Sequence, residues 1–322
     1  MTDTLGAEPF AEPVEAPADV TRAQEQAGRT RRRTPRWAAF GWGAAGVLLL
    51  LVVWELYKAL APADGIVIGG LTVLPRTSDI AMPHLWDIAT RLGEPVSGAT
   101  NADLLWVAVA RGCAFTLGVA AVGWIVGVTV GLLIATLMQR FRTAESALLP
   151  WVVLSQTVPL IALAPLVRRW GASVEFGAFD WQDWMSVAVI ASYLAFFPVS
   201  IGALRGFSSP EAAHLDLMRS YGIGWWRTYF TLRLPASVPY LLPALRLAVA
   251  NAVIGTVVAE VSIGLRGGVG RMIVEFAASG SSDPAKQWAP IIGAVIVGLA
   301  AAGAVALIGV ALRRYRRGEQ LA

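Results

Sequence analysis

Residues 216–246 read DLMRSYGIGWWRTYFTLRLPASVPYLLPALR, a polar interruption between two long apolar runs. At its head, apolar Leu215, Leu217, Met218 and Tyr221 are interleaved with Asp216, Arg219 and Ser220, the pattern of a short amphipathic helix. Gly222 is placed to end that helix in a left-handed cap. A second helical turn is expected through Trp225, Trp226 and Tyr229, stopped by Pro235. Such a segment lies across a membrane face. It either rests in the headgroups, where Trp and Arg are common, or docks in a cleft of a soluble partner, with Gly222 permitting close backbone approach.

Composition sets the class of the whole chain. Its 322 residues are 56% hydrophobic and 15% charged, with a mean hydropathy of +0.59, too apolar for an ordinary soluble globule. A bilayer core of about 30 Å takes about 20 apolar residues per helical span. Six spans are expected, over residues 37–57, 115–138, 148–170, 185–204, 240–264 and 289–312. Long apolar runs without strict alternation exclude a barrel, so the expected fold is an all-α integral membrane protein.

The arginines set orientation. Arg29, Arg31, Arg32, Arg33 and Arg36 precede the first span, Arg140 and Arg142 follow the second, Arg205, Arg219, Arg227 and Arg233 lie between the fourth and fifth, and Arg313, Arg314, Arg316 and Arg317 follow the last. With six spans all of these share one side, which the positive-inside rule makes cytoplasmic, together with both termini. Arg168 and Arg169 fall on the other side, against the rule. The net charge of +4 is spread along the flanks of spans, which suits membrane topology and not nucleic acid.

Residues 1–36, rich in Ala, Pro, Glu, Gln and Arg, are expected to be a disordered tail, and residues 313–322 a short cytoplasmic one. The first apolar run is read as an uncleaved anchor. Residues 58–103 form an external segment, with a short helix over 84–92 and otherwise loop. The core of the chain is 104–312. Its opening stretch, 104–138, is too long for one crossing, so it is divided into an interfacial helix carrying Arg111 and a span from about Phe115.

Three sets of residues stand out within the spans. Gly123, Gly127 and Gly131 recur at every fourth position and open a groove of bare backbone, for packing within the chain or against a second copy. The third span carries Pro150, Pro159 and Pro165, and the polar Ser155, Gln156 and Thr157 lie one turn before Pro159. Freed carbonyls and polar side chains converge there, either as a structural kink or as the lining of a translocation path. In the fifth span Asn251, Thr256 and Glu260 are the polar residues. Glu260, the one carboxylate well inside a span, is read either as a path or gate residue or as an interfacial anchor near the outer end. Cys113 reads as a small packing residue, and His84 and His214 as solvated. No metal, cofactor or catalytic constellation is expected.

The loop's spacing resembles the cytoplasmic coupling loop of ATP-binding-cassette importer permeases: Glu-Ala-Ala, three residues, Gly, nine residues, Ile-x-Leu-Pro. Asp216, Leu217 and Met218 occupy the Glu-Ala-Ala places, followed by Arg219, by Gly222 at the right offset, and by Leu232, Leu234 and Pro235 at the close. The literal Glu211, Ala212 and Ala213 stand about five residues too early for that pattern. Further along, Pro235, Ala236, Pro239, Leu245, Arg246, Ala259, Glu260, Gly268 and Gly270 match signposts of permeases for nitrate, sulfonates, taurine and thiamine-precursor pyrimidines. Pro159, Ile161, Ala162, Pro165 and Leu166 resemble the same group. The resemblance covers about residues 104–312, with the coupling loop at about 208–235, and does not select a substrate.

What the resemblance implies is a type I importer permease in a bacterial cytoplasmic membrane. It would be a homodimer above two cytoplasmic ATPases and would receive a small solute from an external substrate-binding protein. The chain lacks G-x-x-x-x-G-K-[ST], so ATP hydrolysis is expected on the partner. Moving such a path from 1:99 to 99:1 between its two states takes about 5.5 kcal/mol. Two other classes compete. A stand-alone ion-coupled secondary transporter would use intramembrane carboxylates, of which Glu260 is the one candidate. A membrane enzyme would need clustered His, Asp or Glu.

Overall fold

A computed structural model describes residues 36–68, 71–174, 177 and 180–311. The expected tails lie outside them, apart from Arg36. The described chain is almost wholly helical, with one small hairpin. In order it forms α1 (Arg36–Leu60), β1 (Ile66–Ile68), β2 (Leu71–Leu74), α2 (Leu85–Leu92), α3 (Leu105–Arg140), α4 (Arg142–Leu154), a 3₁₀ turn (Ser155–Thr157) and α5 (Leu160–Gly171). Then come α6 (Asp183–Phe207), α7 (Ala212–Ser220), α8 (Trp225–Thr228), a π turn (Tyr229–Arg233), α9 (Leu234–Ile263), α10 (Val269–Ala278) and α11 (Trp288–Ala311).

The chain divides into two compact units at residue 60. The first contains α1, which is long and apolar enough for one membrane crossing. In the second, β1 and β2 pair antiparallel, with Val67 opposite Thr72 and Ile68 opposite Leu71. A loop was the expectation there. The Ile-Val-Ile and Leu-Thr-Val-Leu runs on either side of Gly69 and Gly70 are a hairpin signal in the sequence itself. The short helix expected over 84–92 is α2.

Four long helices, α3, α6, α9 and α11, make the bundle. The glycines of α3 let it lie directly on α6. A Cβ on Gly123 would sit 2.4 Å from that of Ala191, one on Gly127 2.7 Å from that of Ala195, and one on Gly131 2.8 Å from that of Val199. The three glycines therefore pack within the chain, and because both partners climb in step, α3 and α6 run parallel. By the same reading α9 is antiparallel to α6, since Gly202 meets Ala244 whereas Gly206 meets Ser237. Two helices that cross a membrane in the same direction require a return between them. α4 and α5, which lie between them in the chain, are bent by 104° at their junction, so the expected third span is not one straight helix.

Two expectations are corrected. α3 is a single helix of 36 residues, about 54 Å at 1.5 Å per residue, and not an interfacial helix followed by a span. Arg111 needs no break, because it is exposed and paired with Asp103 at 2.8 Å. Nor does Pro235 stop the helix before it: α8, the π turn and α9 form one 39-residue run from Trp225 to Ile263. Pro235 occupies the first turn of α9, where the wider π turn just before it accommodates the missing N–H and the ring.

Candidate functional site

The end of the bundle where α3 and α6 finish and α9 begins carries the 216–235 loop. α7 projects from it with none of its residues buried; Leu217 is 53% exposed and Tyr221 75%. Its C-terminus is closed by Gly222 at φ +66°. The Ile223 N–H reaches the Met218 carbonyl at 3.0 Å and the Gly222 N–H that of Arg219 at 2.9 Å, which is the Schellman pattern. Nothing crowds Gly222, so the left-handed backbone, not space, calls for glycine there. Asp216 and Arg219 pair at 3.1 Å on the exposed surface. Glu211, Ala212 and Ala213, the literal triplet, form the N-cap and first turn of the same helix.

Beyond Gly222 the loop is fastened to the bundle. Arg233 donates to the Phe207 carbonyl at the end of α6 at 2.6 Å. With its amide oxygen turned toward the guanidinium, Gln139 of α3 accepts from the same side chain at 2.8 Å. Tyr229 shares a hydrogen bond with Thr136 of α3 at 2.9 Å and packs edge-on against Phe207. Arg140 lies over the Trp225 ring at 5.2 Å. Leu232 and Leu234 are partly buried beside them, and Leu234 joins the apolar cluster of Met138, Leu204 and Phe207. Arg233, Tyr229 and Leu234 therefore fasten this part of the loop to the ends of α3 and α6 at the start of α9. Gln139 and Thr136 were not singled out from the sequence; only their polarity near the end of an apolar helix could have marked them.

The candidate path residues do not form one lining. Ser155 and Gln156 are half-buried and Pro159 exposed at the break between α4 and α5. Tyr193 of α6 donates its hydroxyl to the Ser155 carbonyl, satisfying backbone that the break releases. Asn251 donates to the carbonyl of the next α6 residue, Leu194, at 3.2 Å. Those two sites thus meet on consecutive residues of α6. Thr256 is buried, its hydroxyl turned back to the Ala252 carbonyl at 2.8 Å.

Glu260 stands apart from them. It is 0% exposed, so in this conformation it neither faces an open path nor reaches the interface. Its carboxylate accepts from the Thr116 hydroxyl of α3 at 2.9 Å and from the Gly270 N–H at 2.9 Å. Thr116 in turn accepts from the Val269 N–H at 2.9 Å. Val269 and Gly270 open α10, so two side chains from two long helices cap a third. Close approach explains the glycines flanking Val269. A Cβ on Gly268 would lie 2.2 Å from the Glu260 carboxyl carbon, and one on Gly270 2.6 Å from the Glu260 Cβ. Thr116 escaped the sequence reading because its partner is 144 residues away.

The pattern of the family described as "Binding-protein-dependent transport system inner membrane component" matches residues 127–317. The chain is similar to the formylaminopyrimidine transport permease protein ThiX of Halalkalibacterium halodurans, 30% identical over 241 residues, which is 74% of this chain and 83% of that one. It is 29% identical over 285 residues to a Bacillus subtilis protein named for aliphatic sulfonates transport, SsuC, covering 88% and 92% of the two chains. Riboflavin transport system permease protein RibX of Chloroflexus aurantiacus is 26% identical over 240 residues, 73% and 77% of the two.

Proposed function

The chain belongs to the family of binding-protein-dependent transport system inner membrane components, and from that premise we propose how its parts divide the work. It is a multi-pass permease subunit of an ATP-driven importer for a small solute. Two copies form the path in a bacterial cytoplasmic membrane, with both termini in the cytoplasm. The arginine-rich end that carries α7 faces a pair of ATPases, and the opposite end receives cargo from an external binding protein. ATP hydrolysis resides on the partner.

The observation that carries this reading is the contrast within the loop. α7 and its C-cap offer exposed Leu217 and Tyr221 to a partner, whereas Arg233 ties the other end of the loop to α6 at 2.6 Å. A push on α7 from a closing ATPase dimer is thereby delivered to the ends of three bundle helices. Cargo is drawn from the chemistry that the relatives' names cover, small sulfonates and nitrogen heterocycles.

Co-purification in detergent with the ATPase encoded beside it tests the reading, comparing wild type with Gly222→Arg. Arginine at φ +66° is strained and loosens the cap of α7, so the variant should insert normally yet lose the ATPase. A wild-type chain that purifies alone beside a folded ATPase would instead favour a stand-alone transporter.

A further inference from the structure

We propose that the exposed rings of Trp226 and Phe230 dock on the cytoplasmic leaflet of the bilayer. The two halves of the loop then have different partners: α7 meets a protein, and the segment after Gly222 meets lipid. This rests on the orientation given with the permease reading and adds a lipid surface to it.

Four aromatic residues of the segment divide between two faces. Trp225 and Tyr229 stack at 5.3 Å and join the apolar cluster at the bundle end, where Tyr229 is bonded to Thr136 and packs edge-on against Phe207. Trp226 and Phe230, each one residue further on, stack at 6.2 Å yet are 63% and 59% exposed. Arg140 connects them to a third open ring. Its guanidinium lies 5.2 Å from the ring of Phe141, itself 48% exposed, and 5.2 Å from that of Trp225. One exposed ring is ordinary on a protein surface, but three gathered around one arginine form a patch that asks for a partner.

Depth in the membrane identifies the partner. No charged residue lies between Arg111 and Arg140. Along that stretch Val126, Val130, Leu133 and Leu137 are exposed at helical spacing, an apolar face that continues into Phe141. Arg140 is thus the first charge that α3 meets on leaving the hydrocarbon at this end. The rings in contact with it lie at the level where Trp and Tyr gather, with an apolar body toward the acyl chains and polar groups toward water.

Charge agrees with depth. The sequence has no acidic residue from 104 to 144, and none from 217 to 259. Arg140, Arg142 and Arg227 are exposed around the rings. A basic, aromatic surface suits the negative potential of a cytoplasmic leaflet. α7 has a different character: its exposed Asp216–Arg219 pair presents both signs of charge, as a surface for a soluble protein does.

The test uses the full chain with Cys113→Ala, in nanodiscs of phosphatidylglycerol and phosphatidylcholine. A nitroxide is attached at Trp226→Cys or Phe230→Cys, and its relaxation by oxygen, which enters lipid, is compared with that by a water-soluble nickel chelate. Leu133→Cys on the apolar face of α3 and Tyr221→Cys at the cap of α7 serve as references. Labels at 226 and 230 should be relaxed more by oxygen than by nickel, as at 133 and unlike 221, whether or not the ATPase is bound. Relaxation mainly by nickel overturns the proposal, and its loss on adding ATPase would assign the rings to that protein. A label reached by neither reagent in the absence of ATPase also overturns it, because a second copy of the chain would then cover the patch. The native ring gives an independent readout: the emission that wild type has and Trp226→Phe lacks should be quenched by brominated phosphatidylcholine, and an unquenched difference overturns the proposal. ATPase co-purification from the same samples separates the two levels. Rings in water on a chain that holds its ATPase remove the lipid surface and keep the permease reading, whereas rings in lipid on a chain that binds no ATPase do the reverse.

Discussion

One hydroxyl, that of Thr116, has a double duty at the junction of α3, α9 and α10: it donates to Glu260 and accepts from Val269. Thr116→Val keeps the shape and deletes both bonds, leaving a buried carboxylate and a buried N–H each short of a partner. The expected cost is about 1–3 kcal/mol, read as a lowered Tm in detergent, with Thr116→Ser recovering most of it. If the valine variant melts with wild type, the hydroxyl is dispensable and α10 is held by its apolar contacts alone. The sequence made Glu260 conspicuous as a carboxylate among apolar residues, yet it could not say where the side chain goes. That depends on a partner 144 residues away and on glycines whose missing Cβ atoms make the room, and neither is a local property of the chain.

Among the elements, the contact between α3 and α6 is the most legible and the most easily broken. Glycine at every fourth residue announces a bare face, and α6 answers it with the side chains of Ala191, Ala195 and Val199. Gly127→Ala places a Cβ 2.7 Å from that of Ala195 and 2.8 Å from the Ser192 carbonyl, an overpacking expected to cost about 1–3 kcal/mol. Gly118→Ala in the same helix meets nothing within 4 Å and should be neutral or stabilising by up to about 1 kcal/mol through helix propensity. Thermal melts of the two variants give the comparison, and equal losses would remove the case for close packing at Gly127. Element boundaries were less legible for a physical reason. A length rule assumes that helices stop at the bilayer, whereas α3 continues past it on an exposed Arg111–Asp103 pair. A proline rule assumes that Pro ends a helix, whereas a π turn carries α9 through Pro235.

At the scale of the whole molecule, the parallel course of α3 and α6 decides the topology. If both cross the membrane in one direction, residues 141–182 must return across it, although no single straight helix in that stretch does so. Positions before α3 and after α6 are then separated by three crossings and must lie on opposite sides. Ser97 and Ser220 are both exposed and suit a labelling experiment, since Cys113 is the chain's one cysteine and can be replaced by alanine. In intact cells a membrane-impermeant maleimide should label Ser97→Cys directly, and Ser220→Cys only after permeabilisation. The opposite pattern would invert the chain and put α7 out of reach of a cytoplasmic ATPase. Labelling of both from outside would mean that the bent pair α4–α5 does not cross, which the shared direction of α3 and α6 forbids unless one of them fails to span. The result therefore bears on the coupling reading and on the broken helix at once, and Ser155, Gln156 and Pro159 lie at membrane depth only if the return crossing is real.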